Sequence, residues 1–412
     1  MTGGLYVVTV GAAVVAGVDA DGSSVVAALA RAGLPVAARA FVDEDDAALG
    51  QVLARDGGVT VIVAGAGGSA GDVVRRVLAR VAGVRLVLND RMLSAIEQSY
   101  QRRNRAMPRR AERLGLLPQG AVLWPTGGEP AWVLETDRAA FVVLPRGAVP
   151  SLDPLIEEHV VPLARARLAR SPVGRTLKMV GVTVAEVEDR LIDVLGRDGD
   201  VSAVVVPLEG EVWVRLRTRG AVMGDAADAL DALEAEIVAL AGEDCYGRDG
   251  DELEHVVGRA LTARGLTLAV AESCTGGLIA HRLTNVSGSS AYLERGVVVY
   301  SNRAKMELLG VPESVLRAHG AVSAPTAEAM VRGVCAAAGT PCGLSVTGIA
   351  GPQGGTPTKP VGTVFIGVAV PGEVVTKRFA FAGDRASIKW QSSLMALDML
   401  RRLLGAAGPR GE

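Results

Sequence analysis

Ala271-Glu272-Ser273-Cys274-Thr275-Gly276-Gly277 sets a serine between an apolar run at 266–270 and a helical run at 278–283. A serine on a strand-to-helix turn presents its Oγ among the free N–H groups of a helix N-terminus. Glycines there let a ligand approach the backbone. Nucleophilic serines are mounted this way. The ordinary structural use of the same residue is a helix N-cap.

A nucleophilic serine needs a base. The chain has four histidines, His159, His255, His281 and His319, and none lies in a glycine-rich or polar cluster. His281 falls four residues into the following helix and is expected to point off its flank. A lysine whose pKa is lowered by burial is the alternative base. From residue 249 onward the lysines are Lys305, Lys359, Lys377 and Lys389. Lys305 follows a predicted strand at 297–300 and the residues Tyr300-Ser301-Asn302. It therefore falls at the same C-terminal sheet edge as Ser273, where α/β sheets bind ligands. The competing reading of Lys305 is an exposed helix lysine.

Residues 346–355, Val-Thr-Gly-Ile-Ala-Gly-Pro-Gln-Gly-Gly, run from a strand into a loop carrying Gly348, Gly351, Gly354 and Gly355. Such a loop can cradle a phosphate or ribose through its N–H groups, or simply connect. Arg385 and Lys389 are four apart on one predicted helix face. They could bind an anion or be surface charges.

The elements that must position these residues fall into three segments. The first alternates strands (5–10, 34–41, 59–63, 140–144) with helices (23–32, 45–54, 72–82), a pattern that predicts a parallel sheet covered on both faces. The second is predicted as strand 177–182, helix 184–195, strands 201–207 and 211–218, and helix 226–241, a small α+β unit. The third opens with helix 252–263 and contains helices 303–309, 313–318 and 325–338. Strands 342–346, 362–370 and 374–381 follow, then a long helix over 385–404. The fold class is α/β, with domains expected at 1–168, 169–247 and 248–412.

Composition excludes several alternatives. The chain has 412 residues, is 49% hydrophobic and only 3% aromatic, and carries net charge −2 from 43 basic and 45 acidic residues. It shows no basic excess of the kind a phosphate-gripping protein needs, so no direct nucleic-acid binding is expected. The basic run Gln101-Arg102-Arg103-Asn104-Arg105, with Arg109-Arg110, reads as a solvated helix face. Cys245, Cys274, Cys335 and Cys342 have neither zinc nor redox spacing, so no metal site is expected. Four cysteines in a chain of this length suit a reducing compartment. The start lacks the basic character of a secretory signal, and no apolar run reaches membrane-spanning length. The expectation is a cytoplasmic protein.

Together these stretches resemble the CinA (competence/damage-inducible) family. The third segment is similar to its nicotinamide-mononucleotide amidohydrolase domain through A-E-S-C-T-G-G at 271–277, S-G-S-S at 287–290, Y-S-N-R-A-K at 300–305 and L-L-G-V at 308–311. Further matches are G-A-V-S at 320–323, T-G-I-A-G-P-Q-G-G at 347–355, K-P-V-G at 359–362 and G-D-R at 383–385. The resemblance implies hydrolysis of the carboxamide of nicotinamide mononucleotide to nicotinate mononucleotide and ammonia, without cofactor. It implies Ser273 as nucleophile, Lys305 as base and Tyr300 as a residue orienting the pair. Thr275, Gly276, Gly277, Asn302, Thr347, Gly348, Gly351, Gly354 and Gly355 would line the substrate site, with Arg385 and Lys389 toward the phosphate. N–H groups near 275–277 would hold the oxyanion. The family also implies a homodimer, and its name suggests an alternative role as an accessory protein acting through DNA-repair or competence partners.

The first segment resembles the family's molybdopterin-binding-like domain, in degraded form. The family loop G-G-x-G-P-T with its acidic trio is Ala64-Gly65-Ala66-Gly67-Gly68-Ser69-Ala70-Gly71-Asp72 here, and the family's T-E-L is Ala12-Ala13-Val14. The family's L-P-G-V-P is altered to the stretch at 144–150. Asp21 and Asp72 remain, a thin set for Mg²⁺, which wants carboxylate oxygens. Loss or weakening of the ADP-ribose pyrophosphatase activity that the family implies is expected.

Overall fold

Runs rich in valine build the first sheet. β1 (Gly4–Val10), β2 (Val36–Val42), β3 (Gly58–Val63) and β8 (Ala139–Leu144) pair in parallel in the order β2-β1-β3-β8. The sheet continues antiparallel into β7 (Ala131–Glu135) and β6 (Val122–Trp124). Alternate residues leave opposite faces. Leu5, Val7, Val59, Val61 and Val63 enter one core, while Val8, Val10, Ile62, Phe141 and Val143 enter the other. Burial on both faces explains why these strands read as unbroken apolar runs. The computed structural model describes residues 3–11, 19–54, 57–64, 68–126, 129–146, 152–168, 173–218 and 225–405.

Helices α1 (Ala20–Arg31), α2 (Asp46–Leu53) and α3 (Gly68–Val81) match the periodic stretches. A short antiparallel strand pair, β4 (Leu86–Leu88) with β5 (Leu116–Pro118), and the helix between them, α4 (Asp90–Arg102), were not legible as elements. The basic run begins at the end of α4 and is solvent-exposed apart from partly buried flanking positions. A helical stretch over 153–167 (α5) closes the segment.

The middle segment contains β9 (Gly174–Val180), α6 (Val184–Arg190), β10 (Val201–Leu208), β11 (Glu211–Thr218), α7 (Asp225–Ala241) and β12 (Cys245–Arg248), with strand order β10-β11-β9-β12. The predicted helix over 184–195 stops at Arg190. It begins with a capping box in which Thr183 and Glu186 bond each other's backbone N–H, a strong local start signal. Two compact units emerge. The first holds 1–175, 199–201 and 217–230, and the second holds 176–198, 202–216 and 231–412. Much of the middle segment thus folds with the C-terminal one.

The C-terminal segment runs α8 (Leu253–Ala263), β13 (Leu268–Glu272), α9 (Leu278–Thr284), β14 (Leu293–Val298), α10 (Asn302–Leu309), α11 (Glu313–His319) and α12 (Ala324–Ala338). It ends with β15 (Cys342–Gly348), β16 (Thr363–Val370), β17 (Glu373–Ala380) and α13 (Arg385–Leu403). Its sheet order is β14-β13-β15-β16-β17. β13 pairs in parallel with both β14 and β15, and β15-β16-β17 is an antiparallel meander. Leu268 and Val270 face a core with residues of α8 and α13, whereas Ala269 and Ala271 face Met330 and Val334 of α12. The predicted strand at 297–300 is longer and earlier than expected, Leu293–Val298. It is an edge strand with little buried surface, so its sequence lacks an alternating pattern.

Candidate active site

The central strand β13 delivers Ser273. Its last residue, Glu272, sits opposite Val298 of β14 and Val346 of β15. Pairing runs one step further, with Ser273 N–H donating to Val346 O (3.0 Å) and Val299 N–H to Glu272 O (2.8 Å). The serine thus lies level with the ends of both neighbouring strands. The chain then turns through Gly276 (φ 63°) and Gly277 (φ 95°) into α9. Both glycines occupy the left-handed region that side-chain-bearing residues avoid.

Lys305 arrives from the adjacent crossover. Ser301 caps α10, its Oγ accepting from Ala304 N–H (3.1 Å), which aims the first turn of the helix back under the sheet edge. Lys305 is 1% exposed. Its Nζ donates to Ser273 Oγ (3.1 Å), Val299 O (2.7 Å) and Tyr300 O (3.4 Å). Burial pulls its pKa below the ordinary 10.5, opposed by the neighbouring Cys274. No carboxylate pairs with it among the described residues. Cys274 is buried, and that burial pushes its thiol up to about 12, so it is no thiolate nucleophile near neutrality.

Tyr300 lies beside the pair, its carbonyl accepting from Lys305 Nζ. Its side chain is 64% exposed, and its phenol oxygen accepts from Arg385 Nη2 (3.2 Å). Lys305 meets Tyr300 only through the backbone carbonyl. Asn302 is likewise exposed at the start of α10. Thr347 is buried, and its hydroxyl donates to Ala321 O (2.7 Å), so it ties the end of β15 to the loop before α12. Gly348 is partly buried and Gly351 buried, while Gly354 and Gly355 are exposed. A Cβ on Gly351 would lie 2.6 Å from Val361 Cγ1, so that loop closes tightly on itself.

Arg385 spans the site from the first turn of α13. Its Nη1 donates to Gly351 O (2.9 Å) while Nη2 reaches Tyr300. Lys389, one turn on, brings its Nζ to 3.6 Å from where a Cβ on Gly276 would stand. The lysine therefore overhangs the serine turn. Lys359 Nζ donates to His319 O (3.1 Å) and Val322 O (2.7 Å), clasping the 351–362 loop to the connection between α11 and α12. His281 is exposed, as expected of a flank residue.

Glu272 was missed by sequence reading. Its carboxylate is 1% exposed and accepts from the N–H groups of Gly277 (2.9 Å), Ile279 (3.2 Å) and Ala280 (2.9 Å). Gly276 N–H is spent on Ser273 O (3.2 Å). The expected oxyanion donors at Gly276 and Gly277 are therefore already engaged. Among the described residues, the N–H groups of Cys274 and Thr275 find no acceptor on another residue. Thr275 is fully buried, and its Oγ1 also has no protein partner.

No group of acidic, cysteine and histidine residues able to hold a metal occurs among the described residues. In the N-terminal unit, Asp72 pairs with Arg75 and with Arg113 (3.2 Å), and Asp21 with Arg146 (3.6 Å). Both surviving acids are thus engaged by arginines. The stretch 12–14, Gly65–Gly67 of the glycine loop, and 147–150 lie outside the described residues. No helix among the described residues is long and apolar enough to cross a membrane.

Comparison with known proteins adds the following. Residues 250–404 match the family described as CinA C-terminal domain, 174–247 the damage-inducible protein CinA KH domain, and 6–166 the "Probable molybdopterin binding domain". A CinA-like protein of Geobacter metallireducens is 39% identical over 399 residues, covering 94% of this chain and 95% of that one. A competence-damage inducible protein of Caldicellulosiruptor bescii is 39% identical over 346 residues, covering 84% of each. Among solved structures, a competence damage-inducible protein from Klebsiella pneumoniae is 39% identical (TM-score 0.36), covering 37% of this chain and 95% of that one.

Proposed function

Because the chain belongs to the CinA family, whose C-terminal domain houses the Ser273–Lys305 pair, we propose that it hydrolyses a carboxamide by a serine–lysine mechanism, with nicotinamide mononucleotide as substrate. The observation that carries this reading is the buried Lys305 Nζ at 3.1 Å from Ser273 Oγ. As an ammonium, Lys305 donates to the serine and to two carbonyls. Carbonyl oxygens only accept. When Lys305 loses a proton, its two remaining N–H bonds stay with Val299 and Tyr300, and its lone pair is left to the Ser273 hydroxyl. The serine then becomes the donor, the arrangement a general base requires.

Ser273 Oγ attacks the amide carbon as its proton passes to Lys305. The oxyanion lies against the N–H group of Cys274 beside the serine, a contribution of about 3–4 kcal/mol per donor in comparable sites. Lys305 returns the proton to the leaving nitrogen and ammonia departs. Water, deprotonated by the same lysine, then cleaves the acyl-enzyme. Arg385 and Lys389 offer positive charge above the serine turn, which suits a substrate bearing a phosphate. The N-terminal unit, with its acids tied to arginines, serves as a scaffold and not as a Mg²⁺-dependent pyrophosphatase.

The test is ammonia release from nicotinamide mononucleotide by the full chain. Turnover that disappears in Ser273→Ala supports the assignment. Folded protein that releases none would discard it, leaving the role of an accessory acting through protein partners.

A further inference from the structure

We infer that Glu272 is a positioning residue: its buried carboxylate ties the serine turn into a closed ring and so fixes Ser273 and the oxyanion donors. The inference rests on Ser273 being the nucleophile. It does not depend on which amide is cleaved.

Glu272 is the last residue of β13, directly before the serine. Its two oxygens reach across the turn to Gly277, Ile279 and Ala280. Helix N-termini are ordinarily capped by the residue just before the helix. Here that residue is Gly277, which has no side chain to do so. The cap comes instead from five residues earlier, so the segment 272–280 is joined at both ends by charge-assisted hydrogen bonds. No cation pairs with this carboxylate among the described residues, and its burial is balanced by the three N–H donors alone. A carboxylate so placed needs all three, since a buried charge that loses its partners is costly.

Two consequences follow for chemistry. First, the N–H groups of Gly277, Ile279 and Ala280 are consumed by Glu272, so an incoming oxyanion cannot use them and must find donors elsewhere in the turn. Second, the turn is held in one shape before substrate arrives, and preorganised donors outperform donors that must reorganise during the reaction. Glutamine at this position keeps the shape but offers one acceptor oxygen, and its NH₂ group would face an N–H donor. Alanine removes the ring altogether.

The experiment follows Ser273 labelling by a fluorophosphonate probe in the full chain, alongside ammonia release. In labelling, the serine oxygen bonds to phosphorus, fluoride leaves and the serine proton passes to Lys305. Wild type is expected to label at Ser273. Glu272→Gln should label at least ~10-fold more slowly and Glu272→Ala ~100-fold, the range that misplacing a reacting group produces. For ammonia release, kcat should fall by similar factors while KM stays within about threefold. Circular dichroism reports the folded fraction by which each rate is divided. If Glu272→Ala does not fold, Glu272→Gln carries the test. Labelling of folded Glu272→Gln at the wild-type rate overturns the inference, as does a rate that returns to wild type once corrected for folded fraction. Wild type that does not label at Ser273 overturns it together with the serine–lysine reading. Wild type that labels but releases no ammonia from nicotinamide mononucleotide removes only the substrate assignment.

Discussion

The Nζ of Lys305 and the Oγ of Ser273 stand 3.1 Å apart although 32 positions separate them in the chain. Two parallel strands converge to bring this about, and the lysine is enclosed by carbonyl oxygens where an exposed helix lysine would meet water. Removal of either partner should abolish amide hydrolysis. Ser273→Ala and Lys305→Ala are each expected to lower kcat by at least ~100-fold, and the double variant no further, because the two act as a unit. Purified variants assayed for ammonia release check this. A Lys305→Ala enzyme within tenfold of wild type would remove the lysine from the mechanism.

The depressed pKa of Lys305 fixes the sign of two pH dependences. Only the neutral amine can accept the serine proton, so kcat/KM should rise with pH along one acidic limb, with its midpoint below the ordinary lysine value of 10.5. Stability moves the same way. Between the lowered folded value and the unfolded one, the native chain binds fewer protons than the unfolded chain, so folding gains stability as pH rises through that window. Below the folded value both states are protonated, and the native state bears the full cost of the buried ammonium. A pH–rate profile of the wild type tests the first statement, and denaturant melts of wild type and Lys305→Met across pH test the second. A flat kcat/KM from pH 6 to 10 would contradict it.

Arg385 and Tyr300 should separate in their effects. Tyr300→Phe removes one exposed acceptor and keeps the ring, and kcat/KM should stay within about threefold. Arg385→Ala takes away the bridge to Gly351 and a cation above the site. The loss of a charged hydrogen bond, about 1.5–3 kcal/mol, should appear as a KM raised at least ~10-fold for nicotinamide mononucleotide. The phosphate-free nucleoside should be affected far less. Equal losses on both substrates would show that Arg385 does not contact the phosphate.

Ser273 and Lys305 were legible because glycine-rich turns and scarce lysines leave few candidates, and because βα order places both at one sheet edge. Glu272 was not. A carboxylate beside a serine says nothing about whether it points to solvent or folds back over the helix start, and its three partners are backbone groups without a sequence signature. The orientation of Tyr300 was hidden for a related reason. The residue reaches Lys305 through its carbonyl, which any residue supplies, and its side chain faces outward. In the fold, strands buried on both faces stood out through β-branched runs. The strand pair β4–β5 and helix α4 did not, since three-residue strands carry no period and α4 buries only Met92 and Ile96.

The N-terminal acids give a prediction in the negative. Asp72 and Asp21 are each within ion-pair distance of arginine, and a Mg²⁺ ion would have to displace those cations to reach the carboxylates. Added Mg²⁺ is therefore expected to leave the melting temperature of the chain unchanged, since a ligand stabilises only what it binds. ADP-ribose should not be hydrolysed. Robust Mg²⁺-dependent turnover of ADP-ribose would overturn this.

Stability of the C-terminal unit should depend on one buried ion pair. Asp398 and Arg401, both on α13, have side chains 1% exposed and meet at 2.7 Å. Arg402 Nε adds a second donor to Asp398 at 2.7 Å, and its Nη2 reaches Asp244 Oδ1 at 2.8 Å. Arg401 also donates to Glu243 O (2.5 Å), so α13 is fastened to the segment after α7 by charge as well as by packing. Removing one member of such a pair strands the other charge away from water. Asp398→Ala is expected to destabilise by about 3–5 kcal/mol, whereas replacing both members by apolar residues, as in Asp398→Leu with Arg401→Met, should recover most of that loss. Guanidinium melts of the single and double variants measure both quantities. A single variant costing under about 1 kcal/mol would mean that water or neighbouring groups already solvate the pair, and that α13 is held by its apolar face alone.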